Sequence, residues 1–288
     1  MKLKIIILVL GFSFGVLRAQ TYEKDWEALN KKMESGVSVP VKEMEAFNLK
    51  YKDKLPLYPD NTMQLYSSIA INYYNQNDLV KTEQNYLKAY EYSKTAKDTL
   101  LKPVAEYYLA TFYHNQDNYL EAEQYYLKCM YGMSVVYGQS SREYTQIFLN
   151  YTSLLVSLEK HQQAQPYIEA LLYYYKTLDG VGNSNYIRLL NYQAIIYQSK
   201  GEYAKAIDIL SAIVEEKSLL KLGDTASYVT IQLNLGDVYR ETGKYDLAIM
   251  NLKKARQNYF AYKLKDRGAL ATIENNLGVC YKGINSTK

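Results

Sequence analysis

Apolar and small residues recur through the middle of the chain at intervals of three and four. Between positions 233 and 255 they are Leu235, Gly236, Tyr239, Gly243, Tyr245, Ala248, Leu252 and Ala255. Side chains three and four apart lie on one face of an α-helix. Gly243 interrupts the pattern, and glycine readily ends helices because it has no Cβ to oppose a left-handed backbone. The segment therefore predicts two amphipathic helices joined by a short turn.

The same pattern occurs in four earlier segments and begins once more near the end of the sequence. Successive copies lie 42 residues apart, except for the first, which precedes the second by 40. The first residue of the pattern in these copies is Ile69, Leu109, Tyr151, Gln193 and Leu277. A pattern repeated in a fixed register predicts a stack of helical hairpins.

In four of the five complete copies, the residue at the turn position is of a type that suits a left-handed backbone. Asn77, Asp117, Gly201 and Gly243 all tolerate that conformation. The third copy has Glu159 there. It also has His161 two residues later, where the others mostly have tyrosine. The third copy is therefore the loosest match to the pattern.

The pattern resembles the tetratricopeptide repeat. In order, it has a small residue, an aromatic residue three positions later, a turn residue, and then Tyr, Ala, a large residue and Ala. The resemblance implies an all-α fold, a right-handed superhelical solenoid of antiparallel helix hairpins. The usual repeat has about 34 residues. The longer repeat and the connector "YGQSSREY" resemble the kinesin light chain variety. That variety also occurs in bacteria ahead of caspase-like CHAT peptidase modules.

The pattern divides the chain into four segments. We expect a signal peptide at 1–19, N-terminal capping helices at 20–60, five repeats at 61–265, and the first helix of an incomplete sixth repeat at 266–288. No second helix follows to cover that last one. Either this helix is itself the cap, or the sequence is the front part of a longer protein. We favour the second interpretation, because an unpaired amphipathic helix leaves its apolar face in water.

The first residues resemble an export signal. Lys2 and Lys4 precede the apolar run "IIILVLGFSFGVL", and Ala19 offers a small residue for cleavage. The run is too short to span a bilayer comfortably. We therefore expect a periplasmic or secreted chain, with an uncleaved hydrophobic N-terminus as the alternative.

The charge balance argues against a nucleic-acid or membrane-surface partner. The 34 basic residues fall to 31 when Lys2, Lys4 and Arg18 are removed with the signal, against 30 acidic residues. Binding to phosphates or anionic lipids requires clustered Lys and Arg. We expect neither kind of partner.

No catalytic, metal or cofactor site is evident in the sequence. Cys129 and Cys280 are the only cysteines, and Cys129 occupies a position filled by Ala, Leu or Ile in other copies, which predicts a buried residue rather than a disulfide. His114 and His161 lie in different repeats and outside any His-Glu-x-x-His motif. We expect a non-enzyme without a cofactor.

The resemblance implies a binding groove lined by the first helix of each repeat. In the first two copies it selects Gln64, Ser67, Ile71, Tyr74, Asn75, Val104, Tyr107, Thr111, His114 and Asn115. In the later copies it selects Gln146, Leu149, Ser153, Val156, Arg188, Asn191, Ile195, Gln198, Thr230, Leu233, Asp237, Arg240 and Glu241. Only Arg188 and Arg240 are cationic, so the clamp with which some relatives hold a terminal carboxylate is not expected.

Tyrosine is unusually frequent, with 33 of 288 residues. Most tyrosines suit helix packing, because the ring can be buried while the hydroxyl stays in water. Tyr74 and Tyr107 are instead predicted to anchor a partner in the groove. We therefore expect an exported scaffold that binds a protein or an extended peptide. The alternative is a sensor or regulatory front of a longer peptidase or kinase, and self-association through the last helix remains open.

Overall fold

The fold of the described chain is entirely helical. The computed structural model describes residues 21–35, 39–178, 183–221 and 223–286, and within these ranges there is no strand. This confirms the predicted all-α class of helix hairpins. The predicted signal peptide at 1–19 lies outside the described residues.

The helices follow one another with short connections. In chain order they are α1 (21–34), α2 (Val41–Lys50), a 3-10 turn (Leu55–Leu57), α3 (Pro59–Asn75), α4 (Leu79–Ser93), α5 (Leu101–Asn115), α6 (Tyr119–Tyr137), α7 (Arg142–Ser157), α8 (His161–Leu178), α9 (Ser184–Ser199), α10 (Tyr203–Glu216), α11 (Ser218–Lys221), α12 (Thr225–Glu241), α13 (Tyr245–Ala261) and α14 (Arg267–Ser286). We call α3, α5, α7, α9, α12 and α14 the A helices, and α4, α6, α8, α10 and α13 the B helices.

The chain forms two compact units, and the division falls inside α7. Unit 1 extends to Leu154, and unit 2 begins at Leu155. In unit 1 the hairpins α3–α4 and α5–α6 pack side by side, and α3 also contacts α5. Its N-terminal core is rich in aromatic rings. Trp26 is buried, with its ring centroid 5.9 Å from that of Phe47, and the Tyr22 ring stacks on Tyr58 at a centroid distance of 4.2 Å. Trp26 is thus a core residue of this unit.

Unit 2 contains the hairpins α9–α10 and α12–α13. The A helix α12 contacts both α9 and α14, so three A helices lie next to one another in this unit. One core joins Ala206 and Leu210 to Leu235. A second joins Leu252 on α13 to Leu277 on α14. In this unit α9 and α12 therefore each pack against the B helix of their own hairpin and against the next A helix.

The small residues of the repeat pattern set the distance between the helices of a hairpin. Ala248 is fully buried on α13, and Gly236 is buried on the facing helix α12. A Cβ at Gly236 would lie 2.7 Å from Leu252 Cγ, closer than two carbon atoms can approach. Glycine is therefore required at this position for the observed packing of α12 on α13.

Tyrosine hydroxyls link successive hairpins within unit 1. The Tyr113 hydroxyl on α5 donates to Glu83 Oε1 on α4 at 2.7 Å. Tyr73 on α3 donates in the same way to Glu45 on α2. Lys81 lies over the Tyr73 ring, 4.7 Å from its centroid. Part of the tyrosine excess thus serves contacts between hairpins, as expected for a ring with a polar tip.

The five repeat turns share one hydrogen-bonded geometry. The residue at the turn position has a positive φ in every case, from 55° at Glu159 to 74° at Gly201. After each turn an N–H bonds back to a carbonyl five residues earlier, as Asp78 does to Tyr73 and Lys244 to Tyr239. This is the Schellman arrangement, which satisfies carbonyls left free at a helix C-terminus. The left-handed turns predicted at Asn77, Asp117, Gly201 and Gly243 are confirmed.

Candidate functional site

The A helices of unit 1 present a polar and aromatic surface, which we call the unit 1 A-face. Its side chains are Gln64, Ile71, Tyr74, Asn75, Val104, Tyr107, Thr111, His114, Asn115, Gln146 and Asn150. Asn75 and Asn115 are exposed, and the Tyr74 side chain is 38% exposed. Tyr107 and His114 are half-buried. The surface therefore offers amide groups and ring edges to solvent.

Hydrogen bonds between successive A helices hold two tyrosines of the unit 1 A-face. Asn115 Nδ2 on α5 donates to the Tyr74 hydroxyl on α3 at 3.3 Å. Asn150 Nδ2 on α7 donates to the Tyr107 hydroxyl on α5 at 2.7 Å. Each tyrosine thus bridges from one repeat to the next. The rings are fixed by the protein itself.

His114 is packed among tyrosines at the same face. Its Nδ1 lies 3.4 Å from the Tyr126 hydroxyl, and its ring meets the rings of Tyr119 and Tyr126 edge-on, each at a centroid distance of 6.0 Å. Burial lowers the pKa of His114 below its ordinary value, although Asp117 partly opposes that shift. At pH 7 the imidazole is therefore neutral.

The remaining predicted residues of unit 1 differ in what they can offer. The Thr111 hydroxyl donates to the backbone carbonyls of Tyr107 and Tyr108, at 3.0 and 3.1 Å. Gln146 is half-buried on α7. Together with exposed Asn75 it adds amide groups to the surface.

The A helices of unit 2 form a second surface, the unit 2 A-face, centred on Asp237. Its Oδ2 accepts from Gln198 Nε2 on α9 at 2.9 Å, and its Oδ1 accepts from Asn276 Nδ2 on α14 at 3.0 Å. Arg240 adds bonds from Nε at 2.9 Å and from Nη2 at 2.6 Å. One carboxylate therefore links three successive A helices.

The two arginines of the unit 2 A-face are already engaged. Arg240 Nη2 also lies 3.6 Å from Glu241 Oε1, so two carboxylates balance its charge. Arg188 Nη2 donates to Asn185 Oδ1 at 2.6 Å. Both guanidinium groups therefore already have hydrogen-bonding partners within the described chain.

Several residues predicted to line the groove are buried instead. Leu149, Val156, Leu233 and Asn191 are each less than a tenth exposed, and Ser67 is equally buried although it lines the cavity described below. Asn191 Oδ1 accepts from Asn234 Nδ2 at 2.9 Å. Leu149, Val156, Leu233 and Asn191 therefore do not belong to the exposed lining, which corrects their assignment. Asn191 supports the surface from below.

At two of these positions, Leu149 and Leu233, the next residue is an asparagine, and α14 has a third asparagine at the same place in the pattern. Asn150, Asn234 and Asn276 each donate a hydrogen bond to the preceding A helix. The sequence reasoning missed all three. The recurrence of Asn two residues before the small residue in three copies is the signal that could have identified them.

A cavity of about 260 Å³ opens at the start of the unit 1 A-face. It lies between α1, α3 and α5, and its lining is Asn30, Met33, Glu34, Met63, Gln64, Ser67, Ser68, Ile71, Leu101, Val104 and Tyr108. Gln64, Ser67, Ile71 and Val104 were predicted from the repeat pattern. The contribution of α1 was not, because the capping hairpin lacks the repeat pattern.

The described chain contains no group suited to metal chemistry. Within it, no three His, Cys, Asp or Glu side chains are placed to hold a metal ion. Cys129 and Cys280 are free thiols in the core, and burial raises the pKa of Cys129 to about 12. The prediction that Cys129 is a buried apolar residue is confirmed. None of the helices described has the length and apolar character needed to cross a membrane.

Several solved structures have a similar fold, and one of them was solved in complex with a peptide. BtubC (BKLC) from P. vanneervenii is 18% identical, with a TM-score of 0.58 over 85% of this chain and 93% of that chain. A putative kinesin light chain with nearly identical TPR-like repeats from Podosopora anserina is 14% identical, with a TM-score of 0.54 over 72% and 99%. NprR in complex with its cognate peptide NprX is 19% identical, with a TM-score of 0.61 over 93% and 78%.

The family comparison agrees with the fold. Residues 185–259 match the family model described as Tetratricopeptide repeat. No curated protein matches the sequence. The low identities of the solved structures show the fold alone. Residues 185–259 thus carry the tetratricopeptide repeat signature, and the helical hairpins of the described chain have the fold of proteins built from that repeat.

Proposed function

We propose that the chain is an exported, non-catalytic scaffold that binds a protein or an extended peptide on its A-faces. The observation that carries the proposal is the pair of bonds from Asn115 to Tyr74 and from Asn150 to Tyr107. They fix aromatic and amide groups at a partly exposed surface before any partner arrives. A surface ordered in advance loses less side-chain entropy on binding.

The chemistry of the unit 1 A-face suits an extended peptide. Amide side chains can donate to and accept from a peptide backbone, and Asn75, Asn115 and Gln146 supply both kinds of group. Tyr74 and Tyr107 add large rings with few rotatable bonds, which makes them effective contact residues. NprR, whose fold is similar, has been solved with a peptide bound.

The charge on both surfaces favours a partner that is not strongly acidic. His114 is neutral at pH 7 because burial lowers its pKa. Arg240 is balanced by Asp237 and Glu241. Recognition then depends on hydrogen bonds and apolar contacts rather than on attraction of anions.

Export is the second part of the proposal, and it rests on the N-terminal sequence. Lys2 and Lys4 precede an apolar run that ends near Ala19. N-terminal sequencing of the chain recovered from its native cells tests this directly. A mature chain that begins at or near Gln20 supports export. A chain that keeps the first residues contradicts cleavage.

The binding proposal is tested by panning a random dodecapeptide display library on the full chain. Enriched peptides are then labelled and titrated by fluorescence polarisation. We expect Tyr74→Ala combined with Tyr107→Ala to weaken them about tenfold or more, as truncating interface anchors does. Because both hydroxyls also bond to other A helices, Tyr107→Phe separates loss of that bond from loss of the ring.

Tyr131→Ala is the matched control, since this tyrosine is 75% exposed on the B helix α6. Its affinity should equal that of the unmodified chain. Circular dichroism confirms that each variant keeps its helices. Sedimentation of the free chain first establishes whether it self-associates. The proposal would be contradicted if the affinity of the enriched peptides were unchanged in the A-face variants and lowered by Tyr131→Ala. The absence of any enriched peptide would also contradict it.

A further inference from the structure

We infer that the cavity between α1, α3 and α5 receives one large apolar side chain of an extended peptide, with a basic residue beside it against Glu34. This inference rests on the proposed function and specifies which peptides it selects. The cavity belongs entirely to unit 1 and opens at the N-terminal end of the unit 1 A-face.

Six of the residues that line the cavity are apolar or aromatic. Met63 and Leu101 are buried, and Met33, Val104 and Tyr108 are half-buried around them. Ile71 remains 39% exposed at the edge. Methionine side chains adapt their shape to an inserted group because they are unbranched and flexible. The site is therefore suited to an aliphatic, methionine or aromatic side chain.

The size of the cavity suits a large side chain of a peptide. Its volume is about 260 Å³. Small-molecule sites usually enclose roughly 300–1,000 Å³ and cover most of the ligand. A peptide residue needs less space, because its backbone stays on the open surface. The neighbouring groups of the unit 1 A-face can then bind the rest of the peptide.

Polar groups at the cavity are placed to meet a peptide backbone. Ser67 is 5% exposed, and the one partner found for its hydroxyl within the described chain is Met63 Sδ at 3.8 Å. Sulfur is a weak acceptor, so the hydroxyl keeps its capacity for a stronger bond. Asn30 and Gln64 carry further amide groups at the opening. These groups can bond to backbone N–H and C=O groups next to the inserted side chain.

Glu34 gives the cavity a charge preference. Among the described residues of the lining it is the only charged one. Asn30 Nδ2 donates to its Oε1 at 2.8 Å, which orients the carboxylate, and in the described chain no cation pairs with it. A Lys or Arg side chain next to the inserted residue would neutralise Glu34. An acidic residue or a terminal carboxylate there would be repelled.

The test uses the full chain and an array of capped dodecapeptides. Each peptide is acetylated, amidated and made of Gly, Ser, Asn and Thr, with a central pair in which Leu, Met, Phe or Ser precedes Lys, Ser or Glu. We expect Leu, Met or Phe to bind about tenfold or more tightly than Ser, because the side chain is buried. Lys should exceed Glu by roughly two- to fivefold, the range of an exposed ion pair.

Two variants connect these preferences to the cavity. Glu34→Lys should reverse the preference to Glu over Lys, and Ser68→Phe should remove the advantage of the apolar residue by filling the space. Glu216→Lys on α10 is the control, because it makes the same charge change outside the lining. It should leave both preferences unchanged. Circular dichroism checks that the variants fold.

The outcomes separate this inference from the proposed function. Array binding that is unaffected by Glu34→Lys and Ser68→Phe, but lost in the Tyr74 and Tyr107 variants, overturns the cavity assignment and leaves peptide binding intact. A preference for Glu in the unmodified chain overturns the charge assignment. The inference is also overturned if the array peptides do not bind, while the panned peptides bind the unmodified chain and both cavity variants with equal affinity. If panning enriches nothing, both proposals fail.

Discussion

Single side chains determine how closely the helices of a hairpin approach each other. Gly236 and Gly278 occupy the same position of the repeat pattern, 42 residues apart. A Cβ at Gly236 would collide with Leu252, whereas a Cβ at Gly278 would meet no atom of the described chain within 4 Å beyond its chain neighbours and its own helix backbone. The two glycines therefore have the same place in the sequence pattern and different physical roles.

Gly236→Ala and Gly278→Ala should change stability in opposite directions. Gly236→Ala forces Leu252 to move and should lower the free energy of unfolding by about 1–3 kcal/mol. Gly278→Ala adds helix propensity without a clash and should raise it by up to about 1 kcal/mol. Urea unfolding of the three proteins measures both. A loss of stability at Gly278 as large as that at Gly236 would show that this position is packed like its counterpart.

His114 should make the chain less stable in mild acid. Its pKa is lowered by burial, so the unfolded chain takes up the proton first as the pH falls. The stabilising contribution of the neutral ring is complete above the unfolded pKa of about 6.5 and declines as the pH falls through the lower folded value. Thermal midpoints between pH 7.5 and 5.5 should fall more steeply in the unmodified chain than in His114→Asn.

His161→Asn is the control for this experiment, since His114 and His161 are the only histidines. It should keep the pH dependence of the unmodified chain. Equal slopes in the unmodified chain and in His114→Asn would show that protonation of His114 is not linked to folding.

Helical hairpins share a turn whose geometry is stricter than its sequence. All five turn residues have a positive φ, including Glu159, which has a Cβ. Glu159 N–H bonds to Val156 O at 3.0 Å, and Lys160 N–H bonds to Leu155 O at 2.9 Å, as at the other turns. The hydrogen bonds and the packing on either side hold Glu159 in a conformation that glycine adopts without strain.

Glu159→Gly should therefore stabilise the chain. Relief of the left-handed strain exceeds the entropy that glycine adds to the unfolded chain, and we expect a gain of about 0.5–1 kcal/mol in the free energy of unfolding. Gly243→Ala is the matched reverse change, because Gly243 has a φ of 72° at the equivalent turn. It should lose roughly 1 kcal/mol. A loss of stability in Glu159→Gly would mean that the glutamate side chain makes a contact worth more than the strain.

The turns illustrate which parts of the fold could be predicted from the sequence. Asn77, Asp117, Gly201 and Gly243 were predicted because residue type and backbone conformation are directly related. The bonds of Glu159 depend on the whole hairpin, so its residue type alone suggested a weak turn. The helices of each hairpin could be predicted from periodicity. Apolar residues at intervals of three and four can all be buried on one face only if the segment is an α-helix.

Across the whole chain, the two A-faces use the same kinds of group in different arrangements. In unit 1 asparagines hold tyrosines, and in unit 2 Asp237 collects Gln198, Arg240 and Asn276. A single pattern of repeat positions could not predict this difference. The exposure of a side chain depends on the distance between neighbouring helices, and the spacing of residues along the sequence does not give that distance. Leu149 and Leu233 were thus assigned to the surface although they are buried, and Glu34 was not assigned at all.

The location of a bound peptide tests the proposed binding surface most directly. A photoreactive benzoylphenylalanine replaces exposed Asn75 on α3 in one protein and exposed Leu127 on α6 in another. Each is irradiated with a labelled peptide obtained by panning, and the crosslinked product is measured. We predict a crosslink from Asn75 that unlabelled peptide suppresses, and none above background from Leu127. A suppressible crosslink from Leu127 without one from Asn75 would place the partner on the B helices and contradict binding at the A-face.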